Sequence, residues 1–133
     1  MTSRRVAREQ ALQALYSIVI GDRDPRDAVS EVVGESADSE QRAFVEELAL
    51  GTLEYAERAD RIVSPLLEGW AIERLPTIDR LLLEMATFEL HCRPETPKAV
   101  AINEAVALAK RFSTEESGRF VNGVLSAVAN AKT

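Results

Sequence analysis

With 133 residues, of which 46% are hydrophobic and 29% charged, the chain is long enough to bury a core and too apolar to remain disordered, which points to one domain. One cysteine, Cys92, and one histidine, His91, exclude an intramolecular disulfide, a cysteine-based zinc site and a Cys–His catalytic pair with separate partners, and they fit a reducing cytoplasm. No apolar run approaches the roughly 18 residues of a membrane span, and the net charge of −6 taken alone argues against a nucleic-acid partner.

The charge is unevenly spread, however. Residues 1–20 carry Arg4, Arg5 and Arg8 against Glu9, and residues 98–133 carry Lys98, Lys110, Arg111, Arg119 and Lys132 against Glu104, Glu115 and Glu116. Both ends are therefore net positive, whereas residues 21–97 hold 8 basic and 18 acidic groups. A fold that brings the ends together would set a basic pole on an acidic body, and screening over about 8 Å at physiological salt lets such a pole act locally.

Ala7, Ala11, Ala14 or Leu15, and Ile18 recur at helical spacing, predicting a helix over residues 4–20. "GDRDP" interrupts it, with Asp24 placed as an N-cap and Pro25 at the first position of a short second helix reaching about Val33. After the linker "GESADSEQ" a long third helix starts near Gln41, with Phe44, Leu48, Gly51, Tyr55, Ala59, Ile62 and Leu66 on one stripe until Pro65 kinks or ends it. Pro76 opens a fourth helix, whose Leu81, Leu82, Leu83, Met85, Ala86, Phe88 and Leu90 leave little polar face and so place it at the centre of a bundle. Thr96 and Pro97 restart the chain into a fifth helix ending near Phe112, and Ser113 with Glu116 forms a capping box for the sixth. No stretch shows strand alternation or a hairpin signal, so the expected class is all-α, with residues 1–133 forming one domain.

No phosphate-binding glycine loop or dinucleotide fingerprint is present. The acidic pairs read as solvated faces or helix N-terminal charges rather than acid–base pairs. The chain is therefore expected not to be an enzyme and to need no cofactor or metal.

The sixth helix, "RFVNGVLSAVAN", is unusual at its start: Val121, Val124, Leu125 and Val128 form the core stripe, yet Asn122–Gly123 stands where better helix formers would serve. Phe120, at the stripe's margin, is either tucked against the fifth helix or a stacking platform; Arg119 and Asn122 point away from the core. Arg4, Arg5 and Arg8 oppose the helix macrodipole, a local cost that suggests another use. Four cations on single-strand phosphates would give a log–log salt slope of roughly −3. Tyr16 suits either a core rim or an interface.

"RRVAREQALQALY", "LEGWAIERLPTIDRLLLEMATFEL", "PKAVAINEAVALAKRFS" and "RFVNGVLSAV", in that order and spacing, resemble the NusB family of transcription antitermination factors along nearly the whole chain. The resemblance implies about six to seven helices in two small bundles joined through the long third helix. It also implies binding of boxA RNA during ribosomal RNA transcription, a heterodimer with the ribosomal protein NusE, and association with other antitermination factors and RNA polymerase. Carried over by motif, Arg4, Arg5 and Arg8 match the family's arginine-rich RNA-binding start; Arg119, Phe120 and Asn122 match its second RNA patch, with Glu116 beside it. Asp79 and Arg80 fall near the RNA path, while Tyr16, Asp79 and Glu84 fall on the NusE side. Two departures remove positive charge and lower the RNA affinity expected of the isolated subunit: Glu84 stands where the family usually carries arginine, and the arginine-rich start is short.

Two rival classes remain: a helical adaptor that binds only protein through its acidic middle, and RNA modification, since domains resembling NusB also occur attached to RNA cytosine methyltransferases. The missing cofactor motifs weigh against the second. The sequence leaves monomer and homodimer open.

Overall fold

The computed structural model describes residues 4–35 and 37–131. Among them are six α-helices and two short 3-10 turns, with no strand. The helices are α1 (Arg4–Gly21), α2 (Pro25–Val33), α3 (Ser39–Val63), α4 (Thr77–Cys92), α5 (Lys98–Phe112) and α6 (Glu115–Asn130), and the 3-10 turns are Ser64–Leu66 and Ile72–Arg74. The chain divides into two compact units, Met1–Glu54 and Tyr55–Thr133, and α3 contributes to both.

The boundaries follow local chemistry. The Asp24 carboxylate accepts from the N–H groups of Arg26 and Asp27, and Pro25, lacking an N–H, opens α2 at no hydrogen-bonding cost. Helix α3 begins slightly earlier than expected because Asp38 serves as its cap, its Oδ1 accepting from the Gln41 N–H at 2.7 Å. At the other end Pro65 does end the α-helix, and the chain continues in the Ser64–Leu66 3-10 turn.

In the first unit, Ala7, Ala11, Leu12, Ala14 and Leu15 of α1 are buried, as are Ala28, Val29 and Val33 of α2 and Phe44, Val45, Leu48 and Ala49 of α3. One amide ties the three helices. Gln10 donates to the Val32 carbonyl at 3.2 Å and accepts from the Gln41 side chain at 2.6 Å. A half-buried amide bonded on both its oxygen and its nitrogen avoids the cost of desolvation without a partner.

In the second unit α4 is the most enclosed element, with residues 81–87 buried without interruption, as its nearly all-round apolar sequence predicts. It packs on α5 and α6, which also pack on each other. The stripe expected along α3 departs from the structure in its second half. The buried positions are Ala59, Val63 and Leu67 rather than Ile62 and Leu66. Steps of four residues advance by about 40° each around a helix, so this stripe precesses where the expected alternation of three and four would run straight. Tyr55 stays half-buried, its hydroxyl 3.0 Å from His91 Nδ1.

The cap of α6 is a second departure. Thr114, not Ser113, caps it: the Thr114 hydroxyl oxygen accepts from the Ser117 N–H at 2.9 Å. Ser113 is already committed to the end of α5, where its N–H bonds the Ala109 carbonyl at 2.8 Å, so the expected Ser113–Glu116 box does not form.

Close approach explains one glycine of α6. A Cβ on Gly118 would lie 2.6 Å from Lys110 Cγ, because the lysine stem of α5 crosses the helix there.

Candidate nucleic-acid interface

At the start of α1 no acidic residue accompanies the arginines in the first turn, so their unfavourable placement against the macrodipole needs another compensation. An aromatic ring provides one. The Arg4 guanidinium lies 3.9 Å from the centroid of Phe44 and that of Arg8 lies 5.5 Å from it, within the range of cation–π attraction worth about 0.5–2 kcal/mol. Arg4 also sits 3.8 Å from Glu40, both side chains being exposed, and such a pair adds little. The three arginines thus differ. Arg4 and Arg5 are exposed, whereas Arg8 is only 4% exposed, a burial that the run of arginines in the sequence does not foretell. Tyr16, further along α1, is 42% exposed, which excludes a fully buried core position.

In the second unit, α6 presents the predicted division of faces. Val121, Val124, Leu125 and Val128 are buried, while Arg119 and Asn122 are exposed and Phe120 is half-buried. Phe120 lines a groove of about 560 Å³ together with Pro65, Leu66 and Trp70, and Arg119 and Gly123 border the same space. The groove therefore faces the segment after α3. Glu115 and Glu116, both exposed, occupy the first turn of α6, where negative charge is favoured.

Asp79 lies where α4 meets α6. It is 4% exposed and its Oδ2 accepts from the Ser117 hydroxyl at 2.9 Å, while Oδ1 has no hydrogen-bond partner among the described residues. Ser117 is itself held by the Thr114 cap and by the Ser113 hydroxyl at 2.9 Å. Asp79 is thus a tie between helices rather than a surface carboxylate, and Ser117 and Thr114, which complete that tie, carry no sequence signature beyond capping.

Arg80 and Glu84 share a cluster with Asp60 of α3. The Arg80 guanidinium bonds Asp60 at 2.9 Å and lies 3.4 Å from the Glu84 carboxylate. The Asp60 hydrogen bond, above all, holds Arg80 above its ordinary range. Glu84 is 6% exposed; burial, then the hydrogen bond and charge of Asp60, push its carboxyl to about 8 despite the opposing pull of Arg80. Near neutral pH Glu84 mostly keeps its proton and donates within the carboxyl pair. Asp79 and Glu84 were expected on a partner surface; both are buried, because the covering residues come from other helices.

Trp70 is a functional candidate that periodicity misses. It is 62% exposed on the connector between α3 and α4, and its signal in the sequence is a lone tryptophan after a glycine, outside any apolar stripe. No group of His, Cys, Asp and Glu side chains among the described residues is arranged to hold a metal ion, and no described helix is long and apolar enough to cross a membrane.

Comparison with known proteins adds family context to this geometry. Residues 5–130 match the sequence profile of the NusB family. The transcription antitermination protein NusB of Halalkalibacterium halodurans is 40% identical over 124 residues, covering 93% of this chain and 91% of that protein. Among solved structures, NusB from T. maritima superposes with a TM-score of 0.90 at 35% identity, over 96% of this chain and 91% of that one. A chain from the crystal structure of the antitermination factors NusB and NusE in complex with dsRNA superposes with a TM-score of 0.86 at 27% identity, over 97% of each chain.

Proposed function

The chain belongs to the NusB family, and on that footing we propose that it is a non-catalytic transcription antitermination factor that holds boxA-type single-stranded RNA jointly with the ribosomal protein NusE. The observation that carries the RNA part is the first half of α6, where a half-buried aromatic ring, Phe120, adjoins the exposed Arg119, and the exposed Asn122 follows one residue beyond the buried Val121. A base stacked on Phe120 is worth about 1–3 kcal/mol, Arg119 meets a phosphate, and Asn122 offers both a donor and an acceptor to a base edge. Arg4 and Arg5 supply further phosphate contacts. Arg8 acts beneath them by packing against Phe44, and Arg80, engaged by Asp60 and Glu84, orders the cluster behind the RNA path. Glu116 borders that path, and Asp79 holds α6 in place through Ser117.

Tyr16, exposed and amphipathic, is the proposed anchor for NusE, with Asp79 and Glu84 shaping the partner side from within. For one strand to be held, the two basic ends of the chain must meet the same RNA. Two modest surfaces on one heterodimer gain effective concentration, which lets a chain of net charge −6 work on RNA. The complex stays on elongating RNA polymerase with further antitermination factors during ribosomal RNA transcription.

Fluorescence anisotropy with boxA RNA and a scrambled strand, with and without NusE and over a salt series, tests this. Selective binding that tightens with NusE is expected. The three accessible cations Arg4, Arg5 and Arg119 give a log–log slope of roughly −2. Equal binding to both strands defeats the boxA assignment, and no binding even with NusE leaves a protein-only adaptor.

A further inference from the structure

We propose that the groove beside α6 is a nucleotide-binding site in which Trp70 is a second stacking residue, holding an unstacked base of single-stranded RNA against Phe120 and over Gly123. This rests on the RNA-binding reading above and extends it to residues outside the basic ends.

Four observations converge on the groove. Trp70 is the only tryptophan of the chain and, among the described residues, the most exposed of the large hydrophobic side chains. It is held there by a tight turn: Glu68 and Gly69 both have positive φ, 44° and 93°, and the Trp70 N–H bonds the carbonyl of buried Leu67 at 3.2 Å. A left-handed non-glycine residue such as Glu68 costs free energy that the surroundings must sustain, and here it fixes the direction in which the indole leaves the chain.

Gly123 is the third. It lies inside α6, where glycine is about 1 kcal/mol worse than alanine, yet a Cβ there would meet nothing within 4 Å. The close packing that accounts for Gly118 is absent, so what the missing side chain leaves is open groove. The fourth is chemistry. At about 560 Å³ the space lies within the roughly 300–1,000 Å³ of small-ligand sites. Its lining combines two aromatic rings with Arg119 and Glu68. A nucleotide offers the complement of each: a flat ring for Trp70 and Phe120, a phosphate for Arg119, and exocyclic or ring N–H donors for the Glu68 carboxylate. An apolar peptide side chain would leave both charged groups unmatched.

The test uses Trp70 as its own reporter. A short single-stranded boxA RNA is titrated into the full chain bound to NusE, following tryptophan emission and anisotropy together, with the Trp70→Leu complex as the blank. Emission from Trp70 should be quenched with the same midpoint as the anisotropy change. Trp70→Leu should weaken binding roughly tenfold. Gly123→Leu should weaken it similarly while raising the thermal midpoint, a pairing that mere damage to the fold would not produce. RNA binding with unchanged emission and unchanged affinity of Trp70→Leu overturns the groove site and leaves the RNA-binding reading standing. An emission change on adding NusE that RNA does not alter makes the groove a protein seat and overturns it also. No RNA binding by anisotropy overturns both.

Discussion

Replacing Glu84 by glutamine should flatten part of the pH dependence of this protein's stability. In the folded chain the Glu84 carboxyl is pushed to about 8 from an ordinary 4.5, first by burial and then by Asp60. Between those limits the folded state holds a proton that the unfolded state has released, so stability falls as pH rises through this window and levels off above the folded-state value. One proton sets a ceiling of about 1.4 kcal/mol per pH unit, and with half-release near pH 8 the loss between pH 6 and pH 8 comes to about 2 kcal/mol. Glutamine keeps a donor for Asp60 and cannot ionise, so Glu84→Gln should lose that slope while retaining the side chain's volume. Urea denaturation of both proteins at several pH values measures it, since titrations elsewhere cancel in the difference between the two curves. Parallel curves from pH 6 to pH 8 would mean that Glu84 is an ordinary carboxylate in the folded chain, and the description of the Asp60–Arg80–Glu84 cluster would be wrong.

Further substitutions probe the start of α6. Ser117→Ala removes the hydroxyl that donates to Asp79 Oδ2, while Oδ1 already has no partner among the described residues; leaving that buried side chain unbonded should cost roughly 1–3 kcal/mol in chemical denaturation, with Asp79→Ala on the same background adding little further loss. Thr114→Ala should cost about 1 kcal/mol as the loss of an N-cap, and Ser113→Ala distinctly less; the opposite order would restore Ser113 as the cap.

How much could be read without coordinates depended on the range of the interaction involved. Helix starts and stops are settled within about four residues of chain, because they concern the orphan N–H and C=O groups of one turn. Asp24 and Pro25 thus locate the start of α2 to the residue, and Pro65 and Pro97 mark a stop and a start in the places expected. The one capping error, Ser113 for Thr114, arose where two helices compete for one residue and the end of α5 had claimed its N–H. The core face of α6 was equally legible, since Val121, Val124, Leu125 and Val128 share a stripe that only one side of a helix can bury.

The amino-acid sequence by itself determined an all-helical chain, its helix boundaries to within a residue or two, and its membership of the NusB family. Tertiary structure alone decided the state of the individual polar and aromatic groups. Arg8 and Arg5 are the same residue type on one helix, yet Arg8 is buried at Phe44 and Arg5 is exposed. Glu84 holds its proton because α3 brings Asp60 to it, and Trp70 and Gly123 became candidates once a connector and a helix were seen to line the same groove. Hydrogen bonds along a helix are local, whereas desolvation and charge coupling depend on which distant segment covers a side chain, and that is set only when the helices pack.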